Sequence, residues 1–193
     1  MLLFMEKNEI KQYADDTYEN VSSWINNCDS KTSILLALIG VVLSISFTSD
    51  YILDGIEGLL KGVINSVRGE GNDCVCANVI ILVFLGISIF FLVDSVRNML
   101  FVLYARLDDS RDAKNPSISY YRSIGAKNYE EFKGLVENID EDAFIEDKLR
   151  QVHDCSKICS RKFNFYNKGV NSMMVGLMFL GISLILLILK SSL

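Results

Sequence analysis

The stretch Trp24–Thr48, WINNCDSKTSILLALIGVVLSISFT, decides how this 193-residue chain folds. It opens as a polar segment that carries the aromatic residue Trp24 and the charged residues Asp29 and Lys31. It then changes without a break into Ser33–Thr48, a run of 16 residues that contains no charge. An uncharged run of this length enters a membrane as a helix, and a lysine at its start can reach back to the headgroups. We therefore expect a polar helix that continues directly into a membrane-spanning helix.

Two further apolar blocks follow, at residues 74–93 and 170–189, and each is 20 residues long. At ~1.5 Å per residue such a helix is about 30 Å long, which matches the hydrocarbon thickness of a bilayer. Half of the residues are hydrophobic and only 22% are charged, as in an integral membrane protein with a modest soluble part. The sequence thus predicts an all-α membrane protein with three transmembrane helices, at residues 33–48, 74–93 and 170–189.

The remaining segments are also predicted to be helical. Residues 1–32 form a cytoplasmic amphipathic helix with an apolar face that packs against another helix (Ile10, Tyr13, Thr17, Val21, Trp24 and Cys28). Residues 94–168 form a cytoplasmic helical region that builds a small bundle with the extended spans. Within residues 49–73, an amphipathic helix lies in the plane of the outer membrane surface. That helix either covers the outer ends of the spans or inserts when a pore opens.

The distribution of basic residues predicts the orientation. The loop from Arg106 to Lys168 carries 12 of the 19 lysines and arginines, whereas the loop from Ser49 to Ala77 carries two. By the positive-inside rule the long loop is cytoplasmic. Three spans then place the N-terminus in the cytoplasm. We expect a multi-pass protein of the bacterial inner membrane, in contact with lipid.

The sequence contains no pattern typical of catalysis or of a cofactor. His153 is the only histidine, so triads that need a histidine base have no support. Cys155 and Cys159 share a helix face, but the chain has no second cysteine pair near them, and we expect no metal site. The net charge is −5, and no basic stripe with interleaved aromatic residues is present, which argues against nucleic-acid binding. We therefore expect a protein that is not an enzyme and binds no cofactor.

Small residues on the predicted spans are candidates for helix packing, because they let helix backbones approach closely in lipid. They are Gly40, Ser44, Gly86, Gly176 and Gly181. These residues either join the spans of one chain or join the subunits of a homo-oligomer.

Several short motifs occur in a fixed order around the spans. Trp24 and the segment Cys28-Asp29-Ser30-Lys31-Thr32, followed at once by an apolar span, resemble the W…ADxKA signature of Pycsar transmembrane effectors. Cys28 stands where that family usually has alanine. Further matches are Tyr120–Tyr121, Asn128–Phe132, Leu149-Arg150-Gln151, Ser156-Lys157-Ile158 and Lys162. The resemblance to a Pycsar effector domain covers residues 24–189.

The resemblance implies an effector of bacterial antiphage defence. In such systems a cyclase makes a cyclic nucleotide on infection, here a cyclic pyrimidine monophosphate or a related ligand. The effector then impairs the inner membrane, as an oligomeric pore or by disruption, and causes abortive infection. An alternative function is a non-toxic membrane scaffold or regulator that docks a cytoplasmic partner.

Candidate residues for signal coupling or ligand contact follow from these motifs: Trp24, Asp29, Lys31, Gln151, Lys157, Arg161 and Lys162. In one interpretation, the four lysine and arginine side chains of this set contact a phosphate. In the other, Asp29 and Lys31 pair with groups on a neighbouring helix and hold the cytoplasmic end of the spans closed.

Overall fold

The computed structural model describes residues 6–68, 75–104 and 117–191. These ranges contain helices and no strand, which confirms the predicted all-α class. The predicted first residue of the second span, Cys74, lies outside the described residues. The helices are α1 (Lys7–Thr48), α2 (Asp50–Val67), α3 (Val75–Leu103), α4 (Tyr121–Gly125), α5 (Tyr129–Asn138) and α6 (Glu141–Ser191).

Three of these helices are long and apolar enough to span a membrane, as predicted. The most apolar windows of α1, α3 and α6 have mean hydropathies of 1.9, 2.8 and 2.6. α1 has 42 residues and α6 has 51, and each continues from a polar sequence into an apolar one without interruption. At ~1.5 Å per residue both exceed the thickness of a bilayer by about twofold or more. Each helix therefore has one part for the membrane and one part for water.

The chain divides into two compact units. The polar unit consists of Met1–Asp29 and Tyr104–Phe163, and the membrane unit consists of Ser30–Leu103 and Asn164–Leu193. α1 and α6 contribute residues to both units, because each helix crosses a unit boundary. α2 and α3 belong to the membrane unit, whereas α4 and α5 belong to the polar unit.

Within the membrane unit, α3 and α6 are joined by serine side chains that bond to glycine carbonyls. Ser88 Oγ donates to the Gly176 carbonyl over 2.9 Å, and Ser95 Oγ donates to the Gly169 carbonyl over 2.8 Å. Both serines are fully buried. Because both the serines and the glycines are seven residues apart, the contact repeats every two helical turns. The buried residues of α3 follow the same spacing: Asn78, Ile81, Ser88, Leu92, Ser95, Met99 and Val102.

Glycine is required at position 176 because α6 lies so close to α3. A Cβ added to Gly176 would lie 2.9 Å from Leu92 Cγ and 3.1 Å from the Leu92 backbone nitrogen. A Cβ on Gly40, Gly86 or Gly181 would meet no atom within 4 Å. Gly40, Ser44 and Gly86 are exposed, and Gly181 is half-buried. Of the five predicted packing residues, Gly176 thus packs inside the chain, and packing of the exposed ones between subunits stays a prediction.

Helix α2 is amphipathic and lies against the other helices of the membrane unit. Leu59 is buried in a cluster with Ile81 near the start of α3 and Leu187 near the end of α6. Gly55 also contacts Leu187 closely, since a Cβ there would lie 2.7 Å from a terminal carbon of that leucine. α2 thus packs against the start of α3 and the end of α6. Its position in the plane of the outer membrane surface and its role there stay predictions. The helix also leaves a row of apolar side chains exposed: Leu53, Leu60, Ile64 and Val67.

The short helices of the polar unit begin at local signals in the sequence. At the start of α5, Asn128 Oδ1 accepts a hydrogen bond from the Glu131 backbone over 2.9 Å. Glu131 Oε2 accepts one in return from the Asn128 backbone over 3.3 Å. This reciprocal capping box satisfies two backbone donors that a helix start otherwise leaves unpaired. α4 precedes it as a single turn of helix.

Candidate functional site

The polar unit is organised around a parallel pair of helices, α1 and α6. Asp15 pairs with Lys148, and Asp29 pairs with Lys162; in both pairs the partners are 133 residues apart. A constant separation means that the two helices run in the same direction through this unit. Lys7 and Asp142 form a third ion pair between the helices over 2.5 Å, and both of these side chains are exposed.

Within the polar unit, the buried apolar residues of the two helices repeat every seven positions. On α1 they are Ala14, Val21 and Cys28, and on α6 they are Ile145, Val152 and Cys159. A strict seven-residue repeat on two parallel helices is the pattern of a coiled-coil seam. The predicted apolar face of α1 is therefore wrong at two positions, since Tyr13 is 57% exposed and Trp24 is 56% exposed. Small side chains such as Ala14 occupy the seam, because closely packed helices have no room there for aromatic rings.

The Asp29–Lys162 ion pair lies at the end of this seam, directly after Cys28 and three residues after Cys159. Lys162 Nζ lies 2.6 Å from Oδ1 and 2.7 Å from Oδ2 of Asp29. The Lys162 side chain is 10% exposed and that of Asp29 is 33% exposed. An ammonium group taken so far out of water needs a carboxylate partner. Asp29 thus pairs with a residue on a neighbouring helix, as in the second of the two interpretations given for the candidate residues.

The other basic candidates lie elsewhere on the surface. Lys31, Lys157 and Arg161 are exposed, and none of them forms an ion pair with another residue of the described ranges. Trp24 is also largely exposed. The structure therefore brings together Asp29 and Lys162 out of the seven candidates. Contact of Lys31, Lys157, Arg161 and Lys162 with a phosphate stays a prediction.

Gln151 has a structural partner in the segment that precedes α4. Its Nε2 donates to the Ser119 carbonyl over 3.2 Å. One turn earlier on α6, Asp147 Oδ2 accepts hydrogen bonds from Ser117 Oγ and from the backbones of Ile118 and Ser119, at 2.9–3.2 Å. The two side chains together fix this non-helical segment against α6.

A cavity of about 280 Å³ lies between α1, α6 and this segment, within the polar unit. Its functional groups are the Tyr18 ring, the Lys148–Asp15 pair and the Gln151 amide; Ala14, Ser119 and Val152 complete the lining. Gln151 was predicted as a site residue, whereas Tyr18 and Lys148 were not. Neither lies in a recognisable motif, and their proximity depends on the register between α1 and α6. Tyr18 and Gln151 are 133 residues apart, which is also the separation of the two ion pairs.

The cysteines of α6 do not form a reactive centre. Burial raises the pKa of the Cys155 thiol and also that of Cys159, where the nearby Lys162 ammonium opposes the shift. Both thiols therefore stay protonated at neutral pH, and a protonated thiol is a poor nucleophile and metal ligand. In the described residues, no group of three or more histidine, cysteine or acidic side chains could hold a metal ion. The described residues of the polar unit thus show neither a metal-binding group nor a reactive thiol.

Comparison with known proteins agrees with this architecture. The family described as the Pycsar effector protein domain matches residues 13–189, which include all six residues of the α1–α6 seam. The chain is also 32% identical over 171 residues to the Pycsar effector protein GmPycTM of Gulbenkiania mobilis, covering 86% of this chain and 87% of the relative. No solved structure matches the chain. Because the family match extends over nearly the whole chain, the protein belongs to the Pycsar effector protein family.

Proposed function

We propose that this protein is the membrane effector of a bacterial antiphage system, and that it impairs the inner membrane when a cyclic nucleotide made on infection reaches it. The observation that carries this proposal is the family match over residues 13–189 of a chain with three membrane-spanning helices. The proposed ligand is a cyclic pyrimidine monophosphate or a related cyclic nucleotide. The proposed outcome for the cell is abortive infection.

The polar unit is the part proposed to sense the signal in the cytoplasm. It combines the N-terminal arm with the long loop, through the ion pairs Asp15–Lys148 and Asp29–Lys162. Arm and loop therefore lie on the same side of the membrane, as required when two spans separate them. Since that loop holds most of the basic residues, the positive-inside rule favours the cytoplasmic side for both.

The helices α1 and α6 are proposed to carry the signal into the membrane. Each is continuous from the polar unit into an apolar span, so a displacement in the polar unit has a rigid path to follow. The Asp29–Lys162 pair fixes the two helices just before their apolar parts begin. In the resting state this pair would hold the spans together, and a nucleotide would shift the helices from this arrangement.

A homo-oligomer is proposed for the active state. The exposed small residues Gly40, Ser44 and Gly86 lie on apolar helices, and a Cβ added to either glycine would meet no atom of another helix within 4 Å. In lipid, small residues of this kind let helices of different subunits approach closely. The substitution Gly40→Leu would block the contact between subunits without affecting the interior of the chain, because a Cβ at position 40 meets no atom of another helix within 4 Å. Cross-linking in membranes should then show fewer oligomers than for the wild-type protein.

Membrane potential in infected cells tests the proposal directly. Bacteria producing this chain together with a phage-activated pyrimidine cyclase are challenged with phage, and a voltage-sensitive dye is followed before lysis. We expect depolarisation and reduced phage yield only when both proteins are present. A cyclase inactivated at its catalytic residues provides the control.

Two outcomes would contradict the proposal in different ways. An intact potential with preserved phage protection would mean that the protein defends the cell by another route. An intact potential with no protection, together with one stoichiometric cytoplasmic partner in pull-downs, would favour the scaffold function instead.

A further inference from the structure

We propose that the cavity between Tyr18, Lys148 and Gln151 is a mononucleotide-binding site, and that Asp15 is a built-in competitor for the ligand's phosphate. The inference rests on the proposed function for the existence of a nucleotide signal. It goes further by assigning the site, the role of each side chain and the resting state of the sensor. All the residues concerned lie in the polar unit.

The chemistry of the lining defines the class of ligand. Tyr18 is 38% exposed and lines the cavity, and an aromatic ring in such a position can stack on a base. Gln151 donates from Nε2 to Ser119, while its Oε1 accepts no hydrogen bond from the described residues. A free amide oxygen can accept from the amino or imino edge of a base. Lys148 supplies a positive charge for a phosphate.

The size of the cavity favours a single nucleotide. Its volume of about 280 Å³ lies just below the range of roughly 300–1,000 Å³ that is typical for small-molecule sites. A cyclic dinucleotide has two bases and two phosphates and would exceed this volume. The cavity also offers one aromatic ring and one ammonium group, which matches one base and one phosphate.

The frame of the cavity is formed before any ligand binds. Asp147 accepts three hydrogen bonds from the segment that carries Ser119, and Gln151 adds a fourth contact to it. Tyr18 and Gln151 are positioned by the register of the parallel helices. Such preorganisation reduces the entropy that a ligand loses on binding.

The Asp15–Lys148 pair makes the site self-inhibited. In the resting state the Asp15 carboxylate occupies the Lys148 ammonium group that a phosphate would need. Lys148 is 23% exposed and Asp15 is 50% exposed, so the carboxylate can turn into water when a phosphate replaces it. Binding would therefore exchange an ion pair between α1 and α6 for a contact with the ligand. The second pair, Asp29–Lys162, lies 14 residues further along both helices and keeps its partners.

The experiment measures the binding of cyclic UMP and cyclic CMP to the full chain in detergent, by isothermal titration calorimetry. Lys148→Ala should weaken binding by about 10- to 100-fold, because a charge-assisted contact to phosphate is lost. Asp15→Asn should instead strengthen binding by about 3- to 5-fold, since the competing carboxylate and its repulsion of phosphate are removed. Tyr18→Leu should weaken binding by about 5-fold or more, whereas Tyr18→Phe should retain it, because stacking needs only the ring.

A matched control distinguishes ligand contact from loss of helix pairing. Lys7→Ala and Asp142→Asn break another ion pair between α1 and α6 that lies outside the cavity. Both control variants should bind like the wild-type protein. Circular dichroism melting of every variant without ligand reports whether the fold is retained.

The opposite effects of the two cavity substitutions are the decisive result. Equal weakening by Asp15→Asn and Lys148→Ala would show that the pair only holds the helices together, and it would overturn the proposal. Unchanged affinity in all cavity variants, with binding by the wild type, would place the ligand elsewhere and leave the proposed function intact. Absence of binding to the wild-type protein would overturn this site and the nucleotide response together.

Discussion

Breaking the Asp29–Lys162 ion pair should destabilise the protein much more than breaking the Lys7–Asp142 pair. Both pairs join α1 to α6 within the polar unit. They differ in environment, because the Lys162 side chain is only 10% exposed, whereas those of Lys7 and Asp142 are 57% and 63% exposed. The comparison therefore isolates the effect of burial on one type of contact.

The expected magnitudes follow from this difference. Asp29→Asn leaves the Lys162 ammonium buried with only a neutral amide beside it, and we expect a loss of about 1.5–3 kcal/mol. This estimate stays below the cost of breaking a fully buried pair, because Asp29 is 33% exposed and water screens part of the interaction. A double-mutant cycle with Asp29→Asn and Lys162→Gln should give a coupling energy of about 1–2 kcal/mol. The same cycle on the exposed residues Lys7 and Asp142 should give a much smaller coupling energy, because water screens their interaction.

The measurement is the unfolding of the purified chain in mild detergent, by denaturant titration with circular dichroism at 222 nm. Both cycles are run at low and at high salt, because added salt should reduce the exposed coupling more than the buried one. Equal coupling energies in the two cycles would refute the reasoning. It would mean that the Asp29–Lys162 contact is accessible to solvent and does not fix the helices before their apolar parts.

Three further substitutions or treatments test the packing and the thiols. Gly176→Ala should lower the free energy of unfolding in detergent by about 1–3 kcal/mol, because the new Cβ would clash with Leu92. Gly86→Ala should leave the stability unchanged or raise it by ~0.5 kcal/mol, because the new Cβ would meet no atom of another helix within 4 Å. Cys28→Ala should change stability by less than ~1 kcal/mol, since the seam accepts small side chains and the two residues are close in volume; a larger loss would contradict the seam. Cys159 should react slowly with iodoacetamide at pH 8 and faster as the pH rises past the ordinary thiol value of 9.0, because burial raises the pKa of its thiol. Because its pKa is raised on folding, the stability that the Cys159 thiol contributes is complete below that value and is lost at higher pH.

The membrane helices were predictable because hydropathy and length are properties of the sequence itself. Residues such as Leu92 and Met99 occur in runs that only a bilayer or a protein interior accepts, and α3 and α6 formed where these runs lie. The capping box at Asn128 and Glu131 was also predictable, because its two hydrogen bonds link residues only three positions apart.

The candidate site was predictable only in part, because it depends on contacts between residues that are distant in sequence. Asp29 and Lys162 were singled out by their motifs, but their pairing follows from the register of two parallel helices. The predicted apolar face of α1 included the exposed Tyr13 and Trp24 and omitted the buried Ala14, because hydrophobicity alone favours large rings over alanine. Close packing reverses that preference, and the closeness of two helices cannot be deduced from either one alone.

Leakage from reconstituted vesicles tests the central claim most directly. The purified chain is inserted into liposomes loaded with a self-quenching dye, and cyclic UMP or cyclic CMP is added outside at increasing concentration. We predict dye release that depends on the nucleotide, saturates with the binding affinity, and is weakened by Lys148→Ala. Vesicles that stay sealed, although the inserted protein binds the nucleotide, would contradict the claim that this protein impairs a membrane in response to a cyclic nucleotide.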